Sequence, residues 1–207
     1  MPTSPNAGGA GAAPLNVRVY WNFRSPYCYL ASHRMWEVLD RRGARLDWRP
    51  LSGWDGRSPP ERARSRIPLV RQDVARWAER MNLPFSPPPA TTDPSRAAAG
   101  SVIAEARGLL RNYVIAVMDA EWGHGRDIGD VDVLAAIADT VGIDRIALEA
   151  AHENPAIRAR LDGHWRDAQS EGVFGVPTFG VGDQLFWGND RLDFLDDHLR
   201  ERGADGG

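Results

Sequence analysis

Lysine is absent from this 207-residue chain, and all 25 basic residues are arginine. Chemistry that runs through a lysine amine, as Schiff base or nucleophile, is therefore excluded. Cysteine is almost absent: Cys28 stands alone, so neither an intramolecular disulfide nor a cysteine-based metal cluster can form. A reducing, cytoplasmic setting fits that usage best. No apolar run approaches the length of a membrane span. The first 16 residues, rich in Gly, Ala and Pro, have no basic n-region and no apolar h-region and read as a disordered tail rather than a signal peptide. A net charge of -3 leaves no basic footprint for nucleic acid or an anionic membrane, and neither is expected as a partner.

What is present is a hydrophobic content of 43% with eight tryptophans, enough to bury a full core in one domain or in one domain carrying an insertion. Val17, Val19, Trp21 and Phe23 alternate as a strand; Tyr29, His33, Trp36 and Leu39 then recur at helical spacing until Gly43. Ala44, Leu46 and Trp48 alternate with Arg45, Asp47 and Arg49 as a second strand, completing a β-α-β unit. From about residue 67 to 170 the period becomes helical. Val70, Val74, Trp77 and Met81 mark one face, Asp130 caps a helix closed by Gly142, and Asn154-Pro155 opens another. Residues 83–94 (LPFSPPPATTDP) are too proline-rich for a helix and predict an extended loop. After Gly172 the two-residue period returns as a hairpin turning at Gly182-Asp183, and Asn189 or Asp190 is placed to cap a last helix with Leu192, Leu195 and Leu199. The order is β-α-β, helical insertion, β-β-α. It divides the chain into a tail at 1–16, a sheet domain made of 17–66 and 171–202, and a helical domain at 67–170.

Ser25-Pro26-Tyr27-Cys28 sits where the first strand hands over to the first helix. Ser25 is placed as N-cap and Pro26 as the first helical residue, so the hydroxyl faces unpaired backbone N–H groups and the positive end of the helix dipole. Such a corner favours an anion, and a Cys-x-x-Cys there would read as thioredoxin-like. With serine in the lead position, a thiolate would have to come from a ligand. An ordinary Ser-Pro helix cap accounts for the same four residues.

The element order, residues 172–179 (GVFGVPTF), residues 186–191 (FWGNDR) and Gly125-Arg126-Asp127-Ile128 together resemble the 2-hydroxychromene-2-carboxylate isomerase and kappa-class glutathione transferase family of the DsbA-like thioredoxin superfamily. The resemblance implies an α/β thioredoxin-like fold with an all-helical insertion domain of the DsbA/kappa type. It further implies a cis Val176–Pro177 bond, with the Val176 backbone facing a thiol ligand. Glutathione or another low-molecular-weight thiol would be held by Ser25, Pro26 and Tyr27, with Ser25 bonding the sulfur, and by Asn189 and Asp190 at its γ-glutamyl end. One departure stands out: the family's Gly-Asn loop after the second strand has no counterpart in residues 51–60 (LSGWDGRSPP).

The implied activity is thiol-dependent isomerisation of a conjugated aromatic carbonyl compound, a small-molecule substrate in a cleft between sheet and helices. Trp54, Trp122 and Arg126, with Tyr27, are the candidates for stacking or carboxylate pairing there. Each tryptophan has core packing, and Arg126 an ion pair or cap, as its plainer role. Kappa-type glutathione transferase or peroxidase chemistry would use the same site. A DsbA-like oxidoreductase working through Cys28, and a non-catalytic thiol-binding module, are the further alternatives. The five histidines show no metal-ligand spacing, so no metal is expected. Dimers are common in the resembling family, yet no exposed apolar stripe here compels one.

Overall fold

The computed structural model describes residues 14–53 and 60–204, with the side chains of the second stretch described from residue 66 onward. Strand β1 (Asn16–Trp21) has Val17, Val19, Tyr20 and Trp21 fully buried, and burial on both faces marks the centre of a sheet. It pairs parallel with β2 (Arg45–Pro50) and antiparallel with β3 (Thr178–Val181), which pairs antiparallel with β4 (Gln184–Trp187). The sheet order is β2-β1-β3-β4. The β3–β4 hairpin turns on Gly182, whose φ of 58° suits the first position of a tight two-residue connection.

Two helices, α1 (Pro26–Ser32) and α2 (Met35–Arg41), join β1 to β2 where the periodicity predicts one. The break has a local and a distant cause. The Ser32 hydroxyl donates to the Tyr29 carbonyl at 2.7 Å, occupying the acceptor that a continuing helix would offer the next turn. His33 meanwhile meets Asp119 of a remote element, Nε2 to Oδ1, at 2.9 Å.

Between β2 and β3 come α3 (Pro60–Arg80), α4 (Ser95–Ala106), α5 (Leu110–Met118), a π-helical turn (Asp119–Gly123), α6 (Val131–Thr140), α7 (Arg145–Glu153) and α8 (Pro155–Ser170). Helix α3 starts well before the apolar pattern does, since residues 60–66 carry no large apolar side chain to announce it. Side-chain caps begin the later helices: Asp130 accepts from the Asp132 and Val133 amides, Asp144 from Ala147, and Asn154 from Ala156. Residues 83–94 carry no regular element, in keeping with their prolines. A 3₁₀ turn (Asn189–Arg191) leads into α9 (Leu192–Ala204), which buries Leu192, Leu195 and Leu199. One large cluster runs from the sheet through α1 and α2 into α5 and α6, and a second joins α4, α7 and α8.

Candidate functional site

The end of β1, the start of α1, the approach to β3 and the exit from β4 converge at Ser25. Ser25 is the N-cap of α1: its backbone is extended (φ −93°, ψ 118°), and its hydroxyl oxygen accepts from the Cys28 amide at 3.3 Å. The same hydroxyl donates to the Val176 carbonyl at 2.9 Å. Its single proton is thus engaged by the segment leading into β3. The Val176–Pro177 peptide bond is cis, and the Pro177 carbonyl accepts from the Gly188 amide at 2.9 Å. Behind the corner, Asn22 bonds the Leu51 and Gly53 carbonyls at 3.1 and 3.3 Å, fixing the loop from β1 to α1.

Beside Ser25 opens a cavity of about 260 Å³ bounded by Tyr27, Val176, Gly188, Asn189, Asp190 and Arg191, by Trp187 at the end of β4, and by Arg66, Val70, Asp73 and Trp77 of α3. The Tyr27 hydroxyl donates to Asp73 at 2.8 Å, tying α1 to α3 across one wall. Burial, then that bond, push the Tyr27 hydroxyl well above its ordinary value, so it stays a neutral donor. Asn189 is buried, and its amide Nδ2 meets no partner among the described residues. A buried donor left bare costs free energy unless something accepts from it. The capping expected of Asn189 or Asp190 is not what they do. Gly188, at φ 106°, is the N-cap of the 3₁₀ turn without a side-chain bond, and Asp190 pairs with Arg191 at 2.7 Å. Trp187 lies against Gly175, where a Cβ would come within 2.5 Å of the indole nitrogen, so only glycine lets that ring line the cavity.

A family model described as a DSBA-like thioredoxin domain matches residues 16–200. The 2-hydroxychromene-2-carboxylate isomerase of Sphingobium xenophagum is 33% identical over 191 residues, covering 88% of this chain and 97% of that protein. The chain belongs to the 2-hydroxychromene-2-carboxylate isomerase family. A second isomerase of that name, from Pseudomonas sp. (strain C18), is 31% identical and covers 87% of this chain and 88% of its own. A solved structure of a 2-hydroxychromene-2-carboxylate isomerase matches with a TM-score of 0.80 at 28% identity, over 92% of this chain and 98% of that one. The cytosolic disulfide reductase DsbM of Pseudomonas aeruginosa, solved with GSH, shares the fold at a TM-score of 0.69 and 20% identity, over 90% and 100% of the two chains.

Within this isomerase-family fold the expected residues separate. Ser25, Tyr27, Val176, Pro177, Asn189 and Asp190 gather at or beside the cavity, and Pro26 follows Ser25 as the first residue of α1. Trp122 and Arg126 are not brought there. The Trp122 indole is buried and donates to the Phe23 carbonyl at 3.0 Å, while Arg126 lines a separate depression with His124 and Thr140. Trp54 lies outside the described residues. Cys28 is fully buried, and burial pushes its thiol far above the usual range, so this family member has no reactive thiol of its own. Asp73 and Trp77 escaped sequence reasoning, although the 70/74/77 spacing marks a helix face whose partner the sequence does not name.

Proposed function

We propose that the chain is a thiol-dependent isomerase of a conjugated aromatic carbonyl compound, of the 2-hydroxychromene-2-carboxylate isomerase type, with glutathione or another low-molecular-weight thiol held in the cavity beside Ser25. One observation carries this reading. The only cysteine is sealed in the core, while the polar corner where a thioredoxin-like protein keeps its thiolate lies beside a cavity lined by Tyr27, Val176 and Asn189, whose buried Nδ2 has no partner among the described residues.

The residues fit such a ligand. The Asn189 Nδ2 would donate to a ligand carboxylate, and the Asp190 carboxylate would take up an amine. Bound there, the thiol supplies a nucleophilic sulfur whose reversible addition to a conjugated double bond permits rotation about that bond. The Ser25 hydroxyl, which donates to the Val176 carbonyl and accepts from the Cys28 amide, would turn its proton to the sulfur and stabilise the anion without acting as a nucleophile. Val176 then offers a free carbonyl to a ligand N–H in a short strand-like pairing. Tyr27, held neutral against Asp73, shapes the wall and donates no charge. The aromatic substrate would enter over Trp187 and Trp77.

Calorimetric titration with reduced glutathione, repeated on Asp190→Ala, tests the reading. Saturable binding weakened by the substitution is expected, together with thiol-dependent interconversion of 2-hydroxychromene-2-carboxylate and its ring-opened trans isomer followed by absorbance. Isomerisation that proceeds equally without any thiol would overturn it.

A further inference from the structure

The Ser25 corner is gripped from below by the π-helical turn Asp119–Gly123. An extra residue in a helical turn shifts the side chains after it around the axis, and such turns recur at functional sites. Here two consecutive residues reach the loop that leads into α1. Glu121 Oε1 accepts from Arg24 Nη1 at 3.0 Å, and the Trp122 indole donates to the Phe23 carbonyl at 3.0 Å. Asp119, at the head of the turn, holds His33 just past the other end of α1. Arg24 also lies over the Trp122 ring, 5.4 Å from its centroid, and its backbone amide donates to Asn22 Oδ1 at 2.8 Å.

Glu121 has 0% exposure, and its second oxygen, Oε2, meets no partner among the described residues. Such a group is poorly explained by stability, because replacing a buried carboxyl–guanidinium pair by well-packed apolar residues often leaves a fold as stable or more so. What distinguishes it is its address. Its partner Arg24 is the residue before Ser25, whose hydroxyl accepts from the Cys28 amide.

We propose that Glu121 is a positioning residue for the thiol site: through Arg24 it fixes the segment entering α1 and thereby sets the direction of the Ser25 hydroxyl. This rests on Ser25 being the thiol contact. Glu121 itself touches neither ligand nor substrate.

The Cys28 amide reports the hydroxyl directly, so its ¹H–¹⁵N resonance in the unliganded protein is the first readout. It is compared in wild type, Glu121→Leu, Arg24→Met and Glu121→Gln, each with and without Ser25→Ala. Glu121→Leu and Arg24→Met should shift the resonance and weaken reduced-glutathione binding by about tenfold, the scale of a typical coupling between contacting residues. Glu121→Gln, which keeps an oxygen for Arg24, should restore both. In the Ser25→Ala background the shifts and the tenfold loss should vanish. A shift that persists there would show an electrostatic or global effect and overturn the proposal, as would unchanged resonances with only a lowered Tm. Should Glu121→Leu fail to fold, Arg24→Met decides alone. If wild type binds no glutathione while the Cys28 amide behaves as expected, the thiol reading fails and takes the thiol-site role of Glu121 with it, leaving only its hold on the Ser25 hydroxyl.

Discussion

Replacing Glu121 by glutamine should flatten part of the pH dependence of folding, and the size of the effect follows from the site. Burial is the largest influence on this carboxyl and carries it from 4.5 to about 8, with Arg24 pulling the other way. Between those values the folded protein holds a proton that the unfolded chain has released. Stability therefore falls as pH rises through the window and is fully retained only below its lower edge. At 1.36 kcal/mol for each pH unit, the wild type loses about 5 kcal/mol across the window. Glutamine has no proton to lose. Urea unfolding of both proteins from about pH 5 to about pH 9 gives the difference directly. Burial lowers the pKa values of His164 and His152, and both contribute a change of the opposite sign at the acid end. They are shared by the two proteins and cancel in the comparison. A wild-type minus variant difference that stays constant within about 1 kcal/mol would refute the reasoning.

Three further outcomes test other parts of the structure. Ser25→Ala should lower turnover by about 10²-fold, the scale of removing one preorganised donor, and remove about 1 kcal/mol of helix-cap stability measured by thermal melting. Cys28→Ser should leave reduced-glutathione binding intact while destabilising by about 1–3 kcal/mol, because the new hydroxyl enters a fully buried position; abolished binding would put the thiol chemistry on Cys28 after all. Gly100→Ala should destabilise by about 1–3 kcal/mol, since a Cβ there would strike the Tyr113 hydroxyl and come within 2.7 Å of Leu148 Cδ1. A melting temperature equal to wild type would show that α4 and α7 yield more freely than their packing suggests.

Residues that act on near neighbours were readable in the sequence. Asp130, Asn154 and Ser25 cap the helices they precede, and Gly142 and Gly182 take the positive φ their turns require. The features that escaped depend on distant partners. His33 closes α1 because of Asp119, some 86 positions away in the chain. Glu121 looks like surface charge until the π-helical turn carries it inward. Asp73 and Trp77 belong to a helix whose amphipathic pattern says that one face is covered, without saying by what. Asn189 and Asp190 have the composition of a helix cap, yet Gly188 opens the turn a residue earlier and both residues line the cavity instead.

The bond from Ser25 to Val176 means that the proposed binding of a thiol here would be an exchange. Before a ligand arrives, the hydroxyl proton already has an acceptor, so a neutral alcohol or an unionised thiol would swap one ordinary hydrogen bond for another and gain little. An anion is a stronger acceptor than a peptide carbonyl and can win that competition. The exchange also strands the Val176 oxygen, which then needs an N–H from the ligand. On the proposed reading the corner would select on two counts at once, ionisation at one atom and a peptide-like donor at another, and a small thiol lacking an amide would meet only the first.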